Sequence, residues 1–192
     1  MAEKPSYLKL LNGISCAETR AFQYLSAWAD VTTDPDVRAV LRTVAAREGE
    51  HGMAFAKRVN ELGFELRPTD DPKFAERMEI AASDRSDLEK AELLGVLELA
   101  TAPDEPDIFD SFFRDHTIDI QTGALLGRYI AEERDTLRLL QGCRAQLTEK
   151  ACDTAESPDR LGALEGKIDA ACRAIEELRQ IVCAQTMPAP ST

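Results

Sequence analysis

Hydrophobic residues in the first third of the chain recur every three or four positions, in two stretches separated by a short polar segment. This spacing is that of one buried helix face and predicts α-helices over about residues 6–30 and 34–63. Asp34 followed by Pro35 is typical of a helix start, and Gly63 of a helix end. The inward positions are Leu8, Leu11, Ser15, Glu18, Phe22, Leu25 and Ala29 on the first helix, and Leu41, Val44, Glu48, His51, Phe55, Val59 and Leu62 on the second.

Three ionisable residues, Glu18, Glu48 and His51, occupy positions on these apolar faces. A buried carboxylate or imidazole is unfavourable unless it is paired, and a metal ion is one effective partner. The Glu-x-x-His spacing places Glu48 and His51 one turn apart on one face, so that both can reach a common cation. The alternative is a hydrogen-bonded or ion-paired cluster without metal, for which three arginines are nearby in sequence: Arg20, Arg42 and Arg47.

Strand signals are nearly absent from the chain, so the sequence predicts an all-α protein. Residues 64–85 contain two prolines and several aspartates and read as a connection of about 20 residues, whereas neighbouring helices of a simple bundle are joined by about 2–8. At about 3.3 Å per residue, this connection can travel the full length of a bundle. A third helical stretch over about residues 87–114 contains Pro103 and Pro106, which we expect to kink or split it.

A fourth helix is predicted over about residues 117–150, and Ser157-Pro158-Asp159 predicts the start of a separate fifth helix. The chain would then comprise a helical bundle over residues 1–150 and a C-terminal amphipathic helix and tail over residues 151–192. The apolar positions of the fifth helix form a heptad pattern: Leu161, Leu164, Ile168, Ala171, Ile175, Leu178 and Val182. This face either packs back on the bundle or pairs with a second copy, and we expect a homo-oligomer, a dimer.

The composition excludes several classes of protein. Of the 192 residues, 35 are acidic and 23 basic, and the net charge of −12 argues against nucleic acid or an anionic membrane as a partner. No apolar run is long enough to span a bilayer, and the first residues do not resemble a signal peptide, so we expect a cytoplasmic protein. The five cysteines show no C-x-x-C spacing, which argues against a zinc ribbon or a disulfide framework.

The first half of the chain resembles a bacterioferritin or rubrerythrin, members of the ferritin-like di-iron carboxylate superfamily. The resemblance lies in Leu11-Asn12, then Glu18, Ala21 and Gln23-Tyr24, followed about 30 residues later by Glu48-Gly-Glu-His51. It covers about residues 6–66 well and 87–145 more weakly. It implies a ferritin-like four-helix bundle with a long crossover between helices two and three, here with an added fifth helix, and a core that binds iron or manganese.

The resemblance also implies a second half-site, with a glutamate on helix three and a Glu-x-x-His on helix four. On helix four, Glu133 lies in the apolar stripe, but the residue three positions further on is Thr136 rather than histidine. One register over, Glu132 and Asp135 are an alternative pair of oxygen ligands, although Glu133 is preferred because it is in phase with the leucines. The helix-three ligand is open between three residues: Glu98, Asp104 and Glu105.

The remaining histidine, His116, is expected to cap a helix or lie on the surface rather than bind metal. The implied metal ligands are therefore Glu18, Glu48, His51 and Glu133, with one intact metal position and one degraded position. Two functions remain open. One is a protein that binds one or two ions of iron or manganese, either as a metal-dependent oxidoreductase of the oxidase or peroxidase type or in iron handling. The other is a metal-free, degenerate ferritin-like scaffold or interaction domain.

Overall fold

The computed structural model describes residues 4–95 and 114–185, and for much of the chain beyond residue 152 it describes the helix but not the side chains. These residues form α-helices and no strands, so the prediction of an all-α protein is confirmed for the described ranges. The chain divides into two compact units, Met1–Leu147 and Thr148–Thr192. The helices are α1 (Leu8–Val31), α2 (Pro35–Glu61), α3 (Phe74–Ala82), α4 (Asp87–Leu93) and α5 (Ile120–Gln185).

α1 and α2 are the two helices that the hydrophobic pattern predicts, and they pack against each other along their lengths. Asp34 caps α2 as expected, because its Oδ1 accepts hydrogen bonds from the backbone N–H groups of Asp36 and Val37 at 2.9 and 3.3 Å. Gly63 follows the end of α2 with a φ of 83°, a conformation that favours glycine. The two helix boundaries therefore agree with the sequence prediction to within about two residues.

Gly52 allows a close approach between α1 and α2. A Cβ atom at this position would lie 2.7 Å from Oγ1 of Thr19 and 3.2 Å from the Thr19 backbone nitrogen. The Ser15 hydroxyl donates a hydrogen bond to the Gly52 carbonyl at 2.8 Å, which fixes the register of the two helices at this level. Glycine is about 1 kcal/mol less favourable than alanine inside a helix. The contact with α1 therefore explains why a glycine stands here.

The predicted inward faces are buried except at two positions, Leu62 at the end of α2, which is half-buried, and Phe22 of α1. On α2, the residues from Leu41 to Val59 that the pattern assigns to the core are each at most 5% exposed. On α1, however, Phe22 is 42% exposed rather than buried. Its ring lies over Gly49 of α2, 3.2 Å from where a Cβ would be. Because Gly49 has no side chain to cover the ring, Phe22 lies at the edge of the interface rather than inside it.

The long connection after α2 contains the short helix α3, which packs against α1. It is fastened to α1 by Asn12, whose amide nitrogen donates to the Arg67 carbonyl at 2.8 Å and whose amide oxygen accepts from the Arg67 N–H at 2.7 Å. Arg20 of α1 donates to the Thr69 carbonyl. The predicted connection thus runs along α1 and contains the short helix α3.

The third predicted helix begins at Asp87 as expected, with Ser86 and Glu89 forming a capping box. The side chain of Asp87 accepts hydrogen bonds from Trp28 Nε1 and Thr32 Oγ1, both at 2.6 Å, and so ties this start to the end of α1. The predicted break at Pro103 and Pro106 lies outside the described residues. So do the three candidate helix-three ligands, Glu98, Asp104 and Glu105.

α5 begins after Asp119, whose Oδ1 accepts from the backbone N–H groups of Gln121 and Thr122 at 3.0 and 3.1 Å. The guanidinium of Arg58 on α2, a residue only 9% exposed, donates to Asp119 Oδ1 and to Thr122 Oγ1, both at 2.8 Å. This network joins the C-terminal part of α2 to the start of α5. His116 lies exposed in the turn before α5, as expected.

The structure differs from the prediction at the expected start of a separate fifth helix. α5 continues through Ser157-Pro158-Asp159 without a break and ends at Gln185. A proline inside a helix removes one backbone hydrogen bond, and the helix-favouring alanine, glutamate and leucine residues on both sides maintain the helix across it. The side chains of the predicted heptad positions before and after Ile168 lie outside the described ones.

Candidate metal centre

Three helices bring the four predicted ligands together in the first compact unit. Glu18 comes from α1, Glu48 and His51 from α2, and Glu133 from α5. One ligand atom of each residue lies within 4.8 Å of the corresponding atoms of the others. Glu18, Glu48 and His51 are between 4% and 7% exposed, and the Glu133 side chain is 16% exposed. The four side chains therefore lie in the interior of this unit.

Two polar atoms in this cluster lack a hydrogen-bond partner among the described residues. They are Nδ1 of His51 and Oε1 of Glu133, which face each other at 3.3 Å. Buried polar atoms are rarely left unsatisfied, and such a pair calls for an explanation. Metal–ligand bonds of about 2.1 Å hold adjacent donor atoms about 3.0–3.5 Å apart. A cation between the two atoms would satisfy both.

Glu132 holds the other nitrogen of the imidazole. Its Oε2 lies 2.7 Å from His51 Nε2, and its Oε1 accepts from Arg128 Nε at 2.8 Å. In the neutral imidazole, donation of the Nε2 proton to Glu132 would leave the lone pair of Nδ1 for a cation, which is the arrangement of a metal-binding histidine. Burial lowers the pKa of His51, but the contacts with Glu133 and Glu132 raise it by more, so that the net shift is upward.

Tyr129 of α5 is part of the cluster and was not predicted from the sequence. Its hydroxyl donates to Glu18 Oε1 at 2.8 Å, and its ring stands edge-on to His51, with 5.0 Å between ring centroids. Burial, and then the charge of Glu18, raise the pKa of Tyr129, which keeps the phenol protonated. It lies four residues before Glu133 on the same helix face, but a tyrosine on an apolar face is common in protein cores, so this spacing alone does not identify it.

Two carboxyl groups of the cluster, those of Glu18 and Glu48, have raised pKa values in the absence of a cation. Burial raises the pKa of Glu48 to about 11, and the hydrogen bond with Glu18 and the charges of Glu18 and Glu133 add to this shift. Burial also raises the pKa of Glu18, whose remaining contacts oppose one another. Three carboxyl groups this close repel one another when ionised. A divalent cation would remove the repulsion and displace the protons.

The missing histidine of the expected second half-site is replaced by a contact with arginine. Thr136 is only 4% exposed, and its hydroxyl accepts from Arg47 Nη1 at 3.5 Å. The Nη2 atom of the same guanidinium is 2.7 Å from Asp135 Oδ2. The positive charge of Arg47 also lowers the pKa of Glu48. The alternative ligand pair therefore makes other contacts. Glu132 contacts His51 and Arg128, and Asp135 contacts Arg47.

The two other arginines expected to neutralise the cluster do not do so. Arg42 is exposed, and Arg20 reaches the connection after α2. A cavity of about 340 Å³ opens onto Glu18, Glu48 and Glu133. Tyr24 also lines it, and burial together with the charge of Glu48 raises the pKa of Tyr24 to about 12. The carboxylate side of the cluster is thus accessible to a small molecule.

Comparison with known proteins gives no match: no protein-family model, no curated protein and no solved structure is similar to this chain at a significant level. Over the described residues, every helix is too short or too polar to cross a bilayer. What can be said about the function therefore comes from the geometry and chemistry of the buried cluster.

Proposed function

We propose that this chain is a ferritin-like helical bundle protein that binds a divalent iron or manganese ion through Glu18, Glu48, His51 and Glu133. The observation that supports this most directly is the unsatisfied pair His51 Nδ1 and Glu133 Oε1, buried 3.3 Å apart. The two atoms are close enough for an ion pair but make no hydrogen bond with each other or with another described residue, and a shared cation accounts for both atoms at once. The remaining two ligands lie within reach of the same point.

One ion per chain fits the cluster better than two. A second ion would need another nitrogen or carboxylate ligand near Thr136, where the guanidinium of Arg47 already supplies a positive charge. A second cation next to that guanidinium would be repelled. The described residues thus favour a single ion, with Arg47 compensating part of the negative charge that a second metal would neutralise in a di-iron protein.

The ligand set favours iron or manganese, because three carboxylates and one imidazole are hard or intermediate ligands; zinc is also compatible with them. Bound ferrous iron would supply oxygen or peroxide chemistry, which in this superfamily serves oxidase, peroxidase and iron-handling roles. Tyr129 is hydrogen-bonded to Glu18, and Glu132 to His51. Two of the four ligands are therefore held in position in the absence of the ion. We propose an oxidoreductase or iron-handling role on this basis.

Metal content of the purified protein tests the proposal. We expect stoichiometric iron or manganese after preparation without chelators, and its loss in Glu48→Ala and His51→Ala. Glu50→Ala is a matched control, because Glu50 lies on the same helix with its side chain 62% exposed. Retention of stoichiometric metal in both site variants would show that the site is elsewhere, and a metal-free wild type that cannot be loaded would exclude the proposal.

The alternative is a metal-free scaffold that interacts through the heptad face of α5. It is favoured by the hydrogen bond between Glu18 and Glu48 and the contact of Glu18 with Tyr129, which satisfy part of the cluster without an ion. On this alternative, the metal-free protein would have the same melting temperature before and after addition of iron or manganese. The metal-binding proposal instead requires the melting temperature to rise by several degrees on loading, because an ion that binds only the native state stabilises it.

A further inference from the structure

The cavity beside the candidate metal centre differs chemically between its two ends. Its buried end is formed by three carboxyl groups, those of Glu18, Glu48 and Glu133. At about 340 Å³ it lies at the lower end of the range for small-molecule sites. A water molecule takes about 30 Å³, so dioxygen or peroxide alone would leave most of the cavity unfilled. The volume therefore points to an organic ligand of small size.

The mouth of the cavity carries two arginines. Arg77 of α3 has a side chain that is 39% exposed, and its Nη1 is 3.1 Å from Asp71 Oδ2. Arg20 of α1 also lines the cavity and donates to the Thr69 carbonyl. A guanidinium has five N–H donors in a planar fork, and each of these contacts uses one nitrogen. The mouth can therefore offer further donors to an anion, in the fork geometry that suits a carboxylate.

Apolar side chains form another part of the cavity lining. Leu25 comes from α1, Val44 from α2, and Leu137 and Leu140 from α5. A ligand lying between them would gain from burying hydrocarbon, by about 25 cal/mol per Å². The walls thus favour a ligand with an apolar body rather than a sugar or a nucleotide.

Charge determines which end of such a ligand faces the metal. A divalent ion with three ionised carboxylates has one net negative charge, which disfavours a further anionic group at the buried end. At the mouth, two guanidinium groups and the single carboxylate of Asp71 leave one net positive charge. An anionic ligand should therefore place its charge at Arg20 and Arg77 and its apolar part towards the ion.

We infer that this cavity binds a short-chain organic acid, with its carboxylate on Arg20 and Arg77 and its hydrocarbon end directed at the metal position. The site for the acid follows from the cavity itself, whereas the role of the ion in orienting it rests on the proposed function. The ligand class is thus a monocarboxylic acid with a linear or lightly branched apolar chain, and an oxidation substrate of this class would present its far carbons to the ion.

Hexanoate is a suitable probe, used with the full-length protein loaded with Mn²⁺, which is paramagnetic. We expect the protons of its methyl group to relax faster than those next to the carboxylate, with the Zn²⁺-loaded protein as the diamagnetic reference. Faster relaxation next to the carboxylate would overturn the proposed orientation. An absence of any hexanoate binding by calorimetry, to protein that has taken up Mn²⁺, would overturn the inference while leaving the metal site intact.

Variants at the mouth and the wall test the contacts. Arg77→Gln and Arg20→Gln should each weaken hexanoate binding about tenfold, since a charged hydrogen bond is lost in each. Ala21→Leu should block the cavity by filling it, and Arg42→Gln, at an exposed position outside the cavity lining, should have no effect. Unchanged hexanoate affinity in Arg77→Gln, Arg20→Gln and Ala21→Leu would place the acid elsewhere.

Mn²⁺ binding is measured by electron paramagnetic resonance for every variant and should stay at the wild-type stoichiometry. If the wild type itself takes up neither Mn²⁺ nor Fe²⁺, the proposed function fails. Hexanoate titration of the metal-free protein and its arginine variants then tests the cavity independently.

Discussion

Nε2 of His51 and Oε2 of Glu132 are 2.7 Å apart, a contact made by the ring nitrogen that does not face Glu133. Because Glu132 accepts the Nε2 proton, Nδ1 keeps its lone pair for a cation. Replacing Glu132 by alanine should therefore weaken metal binding about 10–100-fold, the range seen for groups that orient a ligand histidine. Competition with a chelator of known affinity measures this change.

Two further variants make this test specific. Glu132→Gln keeps an acceptor oxygen and should retain more of the affinity than Glu132→Ala. Glu79→Ala removes an exposed carboxylate from α3 and should have no effect. If Glu132→Ala bound metal as tightly as the wild type, the orientation of His51 would have to depend on other contacts.

Without metal, the protein should become less stable as the pH rises. The folded-state pKa of Glu48 is about 11 against an ordinary 4.5, so above about pH 4.5 the folded chain holds a proton that the unfolded chain has lost. Its contribution to stability is fully present below that pH and is lost as the pH rises towards 11; the raised pKa values of Glu18 and His51 act in the same direction. One proton corresponds to about 1.4 kcal/mol per pH unit, or about 3–6 °C in Tm.

Calorimetry of the metal-free protein between about pH 6 and pH 8 measures this slope. Glu48→Gln should flatten it, because the group that holds the proton is gone. Metal should bind more tightly as the pH rises and should release protons into the buffer, since the carboxyl groups must ionise to coordinate it. A metal-free protein whose Tm rises over this range would show that the cluster is already ionised.

Arg58 should matter for folding and not for metal binding. Arg58→Met removes one partner of a buried network and leaves Asp119 and Thr122 without the donors that now reach them at 2.8 Å. The Asp119 side chain is 37% exposed, so we expect a cost of about 1–3 kcal/mol, below that of breaking a fully buried ion pair. Urea denaturation should show a loss of this size, with metal stoichiometry unchanged in the folded protein.

Lys57→Met is the matched control, because Lys57 precedes Arg58 and its side chain is 78% exposed. An exposed ion pair such as that between Lys57 and Glu61 contributes at most about 1 kcal/mol. Equal effects of the two substitutions would mean that the network at the start of α5 is not what stabilises this end of the protein.

The proposed dimer depends on the apolar heptad of the C-terminal part of α5. Truncation after Ala155 removes all seven heptad positions, from Leu161 to Val182, and should convert a dimer to a monomer with the metal centre retained. Sedimentation equilibrium of both chains measures the change. A truncated chain that stays dimeric would place the interface on the first compact unit, and a monomeric full-length chain would remove the proposal of a dimer.

The sequence was sufficient to predict which polar residues interrupt the apolar stripes and come together in the structure. Glu48 and His51 were identifiable because a polar residue among buried leucines and valines needs a reason, and Glu133 could be chosen over Glu132 because it is in phase with the stripe of its helix. The ends of α2 were equally predictable, since a capping aspartate with a following proline and a terminal glycine are local sequence signals.

Other features depend on contacts between distant segments and were not predictable. Tyr129 looks like an ordinary core residue until Glu18, 111 positions away, is placed beside it. Asp87 likewise gains its two hydrogen-bond donors only when α1 and α4 meet. The local helix-start signal Ser157-Pro158-Asp159 predicts a separate helix, whereas the helix-favouring residues on both sides maintain α5 through Pro158.

Gly52 has only a hydrogen atom as its side chain, and in the proposed metal centre this would influence the size of the ion that fits. His51 is its neighbour in sequence, and Glu18 stands next to Thr19, the residue that a methyl group at position 52 would strike. Any larger residue would separate the backbones that carry two donor groups and enlarge the space between them. In the proposed metal centre, the radius of the cation that fits best would thus depend on a residue that does not bind it, and we expect an alanine there to shift the preference towards larger ions.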